Sequence, residues 1–283
     1  MALGTGGQTI TTGNVFRPNV WANDVADILK SELVLLPRIK HYDSEAAGYG
    51  QSVEVPFVQN AAANDKAPNT QVTLNGQTAT KVSILINKHK ESSYIIEDLL
   101  GIQSKYDLRS EFTKPAAYAI AEAIDTDILT ELKAGSTNTA LGAFGTALTY
   151  NLIVDAQVVL DTAKAPTRDR TLAIDPFQYG QLLKVDNFVR YDALGKSGAI
   201  ENGRVGQVIN FEVAMSQNFP FTAGTPDQHT GMAFQKEAVA IAHQLKPRTQ
   251  AQYKQEYLGW LLTVDTVYGV KTMRPTFSVA IRS

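Results

Sequence analysis

Two short segments alternate apolar and polar side chains with a period of two, and a long polar stretch separates them. In the first, Val53, Val55 and Phe57 alternate with Ser52, Glu54 and Pro56; in the second, Val82, Ile84 and Ile86 alternate with Lys81, Ser83 and Leu85. A strand sends successive side chains to opposite faces, so each segment predicts a strand that is apolar mainly on one face. The residues between them are Ala, Asn, Gln, Thr and Gly, centred on positions 61–70. The reading is a long hairpin with a polar end, whose arms would reach roughly 30–50 Å at ~3.3 Å per residue. A lone two-stranded ribbon is marginal in water. Its six apolar side chains, at ~1.5–3 kcal/mol each when buried, sum to roughly 9–18 kcal/mol before ordering costs. An arm jutting from its own domain leaves much of that unrealised, whereas an arm laid over a neighbouring copy recovers it. Val53, Val55, Phe57, Val82, Ile84 and Ile86 are therefore candidate inter-subunit contacts.

Composition narrows the rest. The 283 residues, 44% of them hydrophobic, suffice for one large domain or two modest ones with real cores. A net charge of -2 lacks the cationic excess of a dedicated nucleic-acid binder, although one face can still touch DNA weakly. The chain has no cysteine, which excludes disulfides, zinc–thiolate sites and thiol nucleophiles. No two of His41, His89, His229 and His243 lie at i, i+4, so a histidine metal site would need distant segments, and no metal or cofactor is expected. No stretch approaches the ~18 apolar residues of a membrane helix, and Met1–Phe16 lacks the features of a secretory signal. The protein is expected to be soluble and made in a cytoplasm.

Along the chain, residues 1–20 read as a polar extended arm and residues 21–36 as a helix stopped by Pro37. Residues 107–134 read as a long helix with Phe112, Ala116, Ile120, Ile124, Ile128 and Leu132 at i, i+4, Asp107 as N-cap and Gly135 as the stop. Pro115 predicts a kink or the true start. After a Gly/Thr/Ala loop over 135–150 come a helix over Leu152–Lys164, a buried strand over Thr171–Ile174 and a small helix from Pro176 to Leu183. Then follow a glycine-studded loop (195–206), a strand over Val208–Met215, a loop over 217–231, and strands over Ala238–His243, Leu258–Val270 and Pro275–Ile281. Helices and strands mix without a regular βαβ repeat, which predicts an α+β fold.

The search for chemistry finds no catalytic motif. Gly195-Lys196-Ser197 resembles the end of a phosphate-binding loop, but Arg190 stands where the first glycine is required and no strand precedes it. Gly4-Thr5-Gly6-Gly7 fails the dinucleotide test for want of a preceding strand. Asp125 and Asp127 are two apart on a predicted helix, so they point too far apart to grip one ion. Tyr253, Tyr257, Trp260 and Tyr268 lie close to Lys246, Arg248 and Lys254. Such a mixture can serve nucleic-acid stacking, and it also occurs wherever a sheet packs on a neighbour, which is the favoured reading.

Two extended appendages on one body suggest assembly by interlocking arms, and at this level the layout resembles the major capsid proteins of tailed bacteriophages, the Hong Kong 97 type. Asp175-Pro176-Phe177-Gln178-Tyr179 with Leu182-Leu183 is similar to that family's strand–Pro–short-helix turn. Asn202-Gly203, Val205-Gly206 and Phe211-Glu212-Val213 resemble its glycine turn and strand, with Asn210 where relatives often carry glycine. Tyr268-Gly269-Val270 followed by Pro275 is similar to its ending. The resemblance implies an N-terminal arm (1–36), an extended loop (37–90), a peripheral domain with a spine helix (91–149), an axial domain (150–235) and a return to the peripheral sheet (236–283). It implies a structural, non-enzymatic protein of the virion capsid, assembled in the host cytoplasm from hexamers and pentamers that enclose double-stranded DNA. The axial loop, roughly 191–206, would lie near the capsomer axis.

The implied partners are further copies of the chain, the portal, DNA held without sequence specificity and, in some relatives, a cement or decoration protein. Because the arm helix comes almost at once, a separate scaffolding protein is expected rather than a built-in one. Some relatives cross-link a Lys of the extended loop to an Asn. Lys66 near the predicted tip is the candidate for that inter-subunit contact, although a cross-link itself is not expected. Two alternatives stay open: an encapsulin-type compartment sharing the fold, and an α+β enzyme with a dispersed site.

Overall fold

The computed structural model describes residues 34–46, 50–58, 63–76, 78–103, 108–184, 206–219, 223–224 and 226–283. The expected arm (1–20), residues 21–33 of the helix expected over 21–36 and residues 191–205 of the loop expected over 191–206 lie outside the described residues, and the described end of that helix, 34–36, is not α-helical. A 3-10 turn at Leu36–Arg38, short β1 (Lys40–His41) and one helical turn, α1 (Asp43–Ala46), lead into the hairpin strands β2 (Ser52–Val58) and β3 (Ala79–Leu85). β4 (Lys88–Glu97), α2 (Asp98–Gln103) and the long α3 (Leu108–Gly135) follow, then α4 (Tyr150–Thr162), β5 (Arg170–Ile174) and α5 (Pro176–Leu183). β6 (Gln207–Val208), β7 (Phe211–Met215), β8 (Thr230–Gln235), β9 (Val239–Lys254), β10 (Gly259–Thr272) and β11 (Ser278–Arg282) complete the α+β chain.

The strands form a four-stranded sheet in the order β1-β9-β10-β4, a five-stranded sheet in the order β11-β8-β5-β7-β6, and the separate hairpin β2-β3. β10 is the axis of the first sheet: Gly259 stands opposite both Glu97 of β4 and Lys254 of β9. α3 packs on that sheet along the stripe read from the sequence, with Ala116, Ile120, Ile124, Ile128 and Leu132 all buried. Phe112, expected in the same stripe, is 38% exposed and stacks on Tyr94. The helix does not start at Pro115; it runs from Leu108 through it. One hydrogen bond lost near the helix start is outweighed by the apolar stripe that follows.

Polar ties fix α3 in place. Thr272 donates its N–H to Glu131 Oε1 (3.1 Å) and its hydroxyl to the Glu131 carbonyl (3.1 Å). The Tyr268 hydroxyl donates to Asp127 Oδ2 (2.7 Å), and Lys88 of β4 reaches Asp127 Oδ1 (3.0 Å). Burial alone would push the Asp127 carboxyl up, but the hydrogen bonds from Tyr268 and Lys88 and the charges of Lys88 and Lys90 hold it below its usual value. A carboxyl depressed on folding stabilises above its unfolded pKa, and that stability is lost as pH falls through the folded value. Asp127→Asn is therefore expected to be less stable than wild type at pH 7, with the gap closing below the unfolded value of 3.8. Denaturant unfolding at pH 7 and at about pH 3 checks this, and an equal gap at both would refute it.

In the second sheet, Thr149 caps α4 and Asp175 caps α5, with Pro176 at the first helical position as expected. The strand expected over 208–215 is two strands, because Ile209 takes φ 55° and turns the chain between β6 and β7. β8 begins at Thr230, inside what reads in the sequence as loop. β11 does not return to the first sheet. It pairs with β8 in the second, since β10, which it follows, already has both edges occupied. Among the described residues, three connections pass between the sheets, over 136–149, 236–238 and 273–277, and they bond to one another. Met273 and Arg274 donate to the Ala238 carbonyl, Thr137 donates to Pro275, and the Asn138 amide donates to Thr276 and Ser278.

Candidate assembly surfaces

The hairpin has the register its alternation requires. Val53 stands opposite Ile84, Val55 opposite Val82 and Phe57 opposite Thr80, so one face carries the apolar side chains. That face is not left waiting for a neighbour along its whole length. Val53 and Ile84 are buried in the chain itself, in a small cluster with Ala46, Ala240, Ala242 and Met273. Val55, Phe57, Val82 and Ile86 are half-buried against the same cluster, and the Arg274 guanidinium lies 5.1 Å from the Phe57 ring centroid. The expectation that all six side chains are completed by another copy is corrected to that extent. The root of the hairpin lies on β9 and β10, because Gly269 in β10 lets the backbone of Leu85 and Ile86 approach.

Beyond the paired strands the arm carries on. The Asn64 amide donates to Asn75 Oδ1 (2.8 Å), which keeps the two limbs together past the ladder. The end is a defined turn: Thr70 donates its N–H to Ala67 (3.4 Å) and its hydroxyl to the same carbonyl (2.7 Å), and Asn69 has φ 64°. Pro at the second position and a positive-φ Asn at the third match a type II turn. Pro68-Asn69 is a turn signal that composition alone hides. Lys66, beside this turn, is exposed. On the returning limb Val72 and Leu74, two positions apart, are 59% and 89% exposed.

A second surface lies at the far end of the first sheet. Trp260 stands opposite Ile96 and Tyr253 across its two neighbours, and Tyr253 meets Trp260 edge-on at 5.5 Å. Leu99, Leu100, Tyr257 and Leu258 are exposed close by in the chain. The Tyr253 hydroxyl donates to Asp98 (2.7 Å), which puts an acid among these rings, and Arg248 is engaged by Asp265 at 3.0 and 3.2 Å. An acidic partner and an occupied guanidinium suit protein contact better than stacking on nucleic acid.

A family model described as phage capsid protein matches residues 94–281. The chain belongs to the phage capsid protein family. By sequence, no curated protein matches it. In three dimensions this capsid protein is similar to a chain of Mycobacterium phage Che8, with a TM-score of 0.80 at 23% identity over 94% of this chain and 97% of that one. It is similar to the capsid of cyanophage P-SCSP1u, with a TM-score of 0.81 at 20% identity over 99% and 96%. It also matches the mature capsid of bacteriophage PhiM1, with a TM-score of 0.74 at 15% identity over 94% and 91%. The fold is of the Hong Kong 97 type, and the capsid protein resides in the virion capsid as a structural subunit that assembles with copies of itself. These findings do not favour the encapsulin alternative.

Inside the capsid protein the aspartates two apart on α3 do diverge. Asp127 meets Tyr268 and Lys88, while Asp125 accepts the Leu35 N–H at 3.2 Å. Burial pushes the Asp125 carboxyl up, against the hydrogen bonds that lower it, whereas Asp127 is held down. One grouping escaped the sequence reading: β1 pairs in parallel with β9, Lys40 opposite Ala240 and His41 opposite Ile241, which brings His41 and Asp43 to His243.

Proposed function

We propose that this capsid protein forms hexamers and pentamers that close an icosahedral shell around double-stranded DNA, with the extended loop of each copy lying on its neighbour. The observation that supports this reading is the outer limb of the hairpin. It stays together past its ladder, ends in a tight turn, and exposes Val72 and Leu74 on a limb that its own core does not cover. Val55, Phe57, Val82 and Ile86, half-buried at the root, and Lys66 beside the tip extend the contact. Val53 and Ile84 support the loop from within the chain. On the same reading residues 1–36 are the arm, 91–149 with α3 the peripheral domain and 150–235 the axial domain, and the exposed rings around Trp260 meet another subunit. The partners are a separate scaffolding protein, the portal, DNA on the inner face and, on the outside, a decoration protein. The shell role requires no catalytic step.

The test replaces Val72 and Leu74 with aspartate. Neither side chain supports the subunit, so its stability is expected to stay within about 0.5 kcal/mol of wild type. Each contact between copies loses roughly 3–6 kcal/mol of apolar burial and gains two desolvated charges. Electron microscopy is expected to show soluble subunits and no shells. Normal shells from the double variant would remove the outer limb from assembly.

A further inference from the structure

We propose that His41, Asp43 and His243 bind one divalent transition-metal ion of the Zn2+ class. The three side chains come from segments 200 residues apart, and their ligand atoms all lie within 4.8 Å of one another. Backbone pairing sets this up. Tyr42 donates its N–H to the Ile241 carbonyl (2.9 Å), which carries His41 and Asp43 along β9 to His243. Two imidazoles and one carboxylate make a borderline-soft donor set that suits zinc and its neighbours rather than Mg2+ or Ca2+. Three protein ligands leave the fourth tetrahedral position for water.

The surroundings orient these ligands. His41 Nε2 lies 2.8 Å from the Leu36 carbonyl, and a carbonyl only accepts, so Nε2 carries the proton. Nδ1 of the neutral ring is then a lone pair, and it faces Asp43 Oδ2 at 3.8 Å, too far for a hydrogen bond. A metal ion between these two lone pairs satisfies both. A second ring nitrogen bonded to a backbone carbonyl is the usual support of a metal-binding histidine. On the other side the His243 N–H donates to Asp43 Oδ1 (2.9 Å), and His243 Nδ1 lies 3.0 Å from the same oxygen. Metal binding at Nδ1 displaces the proton held there, and the neutral ring then carries its proton on Nε2. Tetrahedral Zn2+ with bonds of about 2.0–2.2 Å needs ligand atoms about 3.4 Å apart, so separations of up to 4.8 Å have to close by up to about 1.4 Å.

The cluster opens on a cavity of ≈ 270 Å³ lined also by Leu36, Ile124 and Asp125, with the exposed Lys246 on its wall. The ion would clip β1 and α1, the segment that leads into the hairpin, onto β9 of the first sheet. Binding to the folded state alone raises its stability with metal concentration.

The purified full-length chain, equilibrated with Zn2+ and freed of excess, is assayed for metal by mass spectrometry and for thermal unfolding. Wild type is expected to retain about one ion per chain and to unfold at a lower temperature after chelation. His41 is exposed, so His41→Ala keeps the fold and is expected to lose at least ~tenfold in affinity, as is Asp43→Asn. His89→Ala, at another exposed imidazole, is expected to bind as wild type does. Co2+ in place of Zn2+ is expected to give the intense visible absorption of a tetrahedral site. Wild type that retains no zinc, or uptake undiminished in His41→Ala combined with Asp43→Asn, overturns the proposal. Because the assay reads the unassembled chain, either result stands apart from the assembly reading.

Discussion

Gly269→Ala is expected to abolish shell assembly while leaving most of the subunit's secondary structure in place. A Cβ at this position would lie 2.1 Å from the Leu85 carbonyl oxygen, 2.8 Å from its carbonyl carbon and 3.2 Å from Ile86 Cα. All three are backbone atoms, so no rotamer change relieves the clash. β10 cannot retreat, because Gly269 is paired with Ala242 of β9 and the strand is tied to α3 at Thr272 and Tyr268. The root of the hairpin must lift instead, away from Ala240, Ala242 and Met273. Overpacking of this kind costs typically about 1–3 kcal/mol, well short of global unfolding. A tilt that shifts the root by about 1–2 Å is magnified along an arm tens of ångströms long, which on the proposed reading carries Val72 and Leu74 away from the neighbouring copy. Circular dichroism and an unfolding curve on the subunit, with microscopy of the products, check this. Normal shells from Gly269→Ala would mean that the close approach does not aim the arm.

The second large effect is expected at Arg170, whose side chain is fully buried. Nη2 reaches Asp161 Oδ1 (2.6 Å) and the Ala165 carbonyl (2.8 Å), and Nε reaches the Pro166 carbonyl (2.9 Å). These bonds clamp the turn after α4 to the start of β5. Arg170→Ala leaves two carbonyls without their donors and opens a cavity at the edge of the core. Two opposing terms moderate the loss. Asp161 is 45% exposed and is rehydrated when its partner goes, and Arg170 Nη1 has no hydrogen-bond partner among the described residues, so the native arrangement already carries part of its desolvation cost. The expected loss is about 2–4 kcal/mol, against less than about 1 kcal/mol for Asp161→Asn, where only a solvent-screened pair is weakened. Equal losses for the two variants, by denaturant unfolding, would show that the ion pair and not the carbonyl clamp carries the energy.

What could be read from the sequence follows from how local its cause is. The stripe Ala116–Leu132 shows α3 because a 3.6-residue period needs no knowledge of the partner, and Asp175-Pro176 shows the start of α5 because a cap and a proline act within one turn. β4 was not foreseen. Lys88 to Glu97 opens with charged and polar residues, since much of it faces solvent, and its strand state comes from the ten residues of β10 opposite it. β9 reads as a strand only over its buried start. Its exposed half, Lys246–Lys254, is held by the same long partner. The hairpin was legible as a hairpin, but its seating on the chain's own sheet depends on Gly269, more than 180 residues away from Leu85 along the chain. For the same reason His41 and His243 look unrelated in sequence, and only the parallel pairing of β1 with β9 joins them.

Among the described residues, the cross-bonded connections between the two sheets resist bending at their seam. Ala238, Met273, Arg274, Thr137 and Asn138 meet at one seam, and rotating either sheet there breaks several hydrogen bonds at once. If the proposed shell places one polypeptide at sites of unequal curvature, the difference is expected to be taken up by the arms rather than at this seam. On the proposed reading, the angle at which each arm leaves this block is expected to set the curvature of the shell.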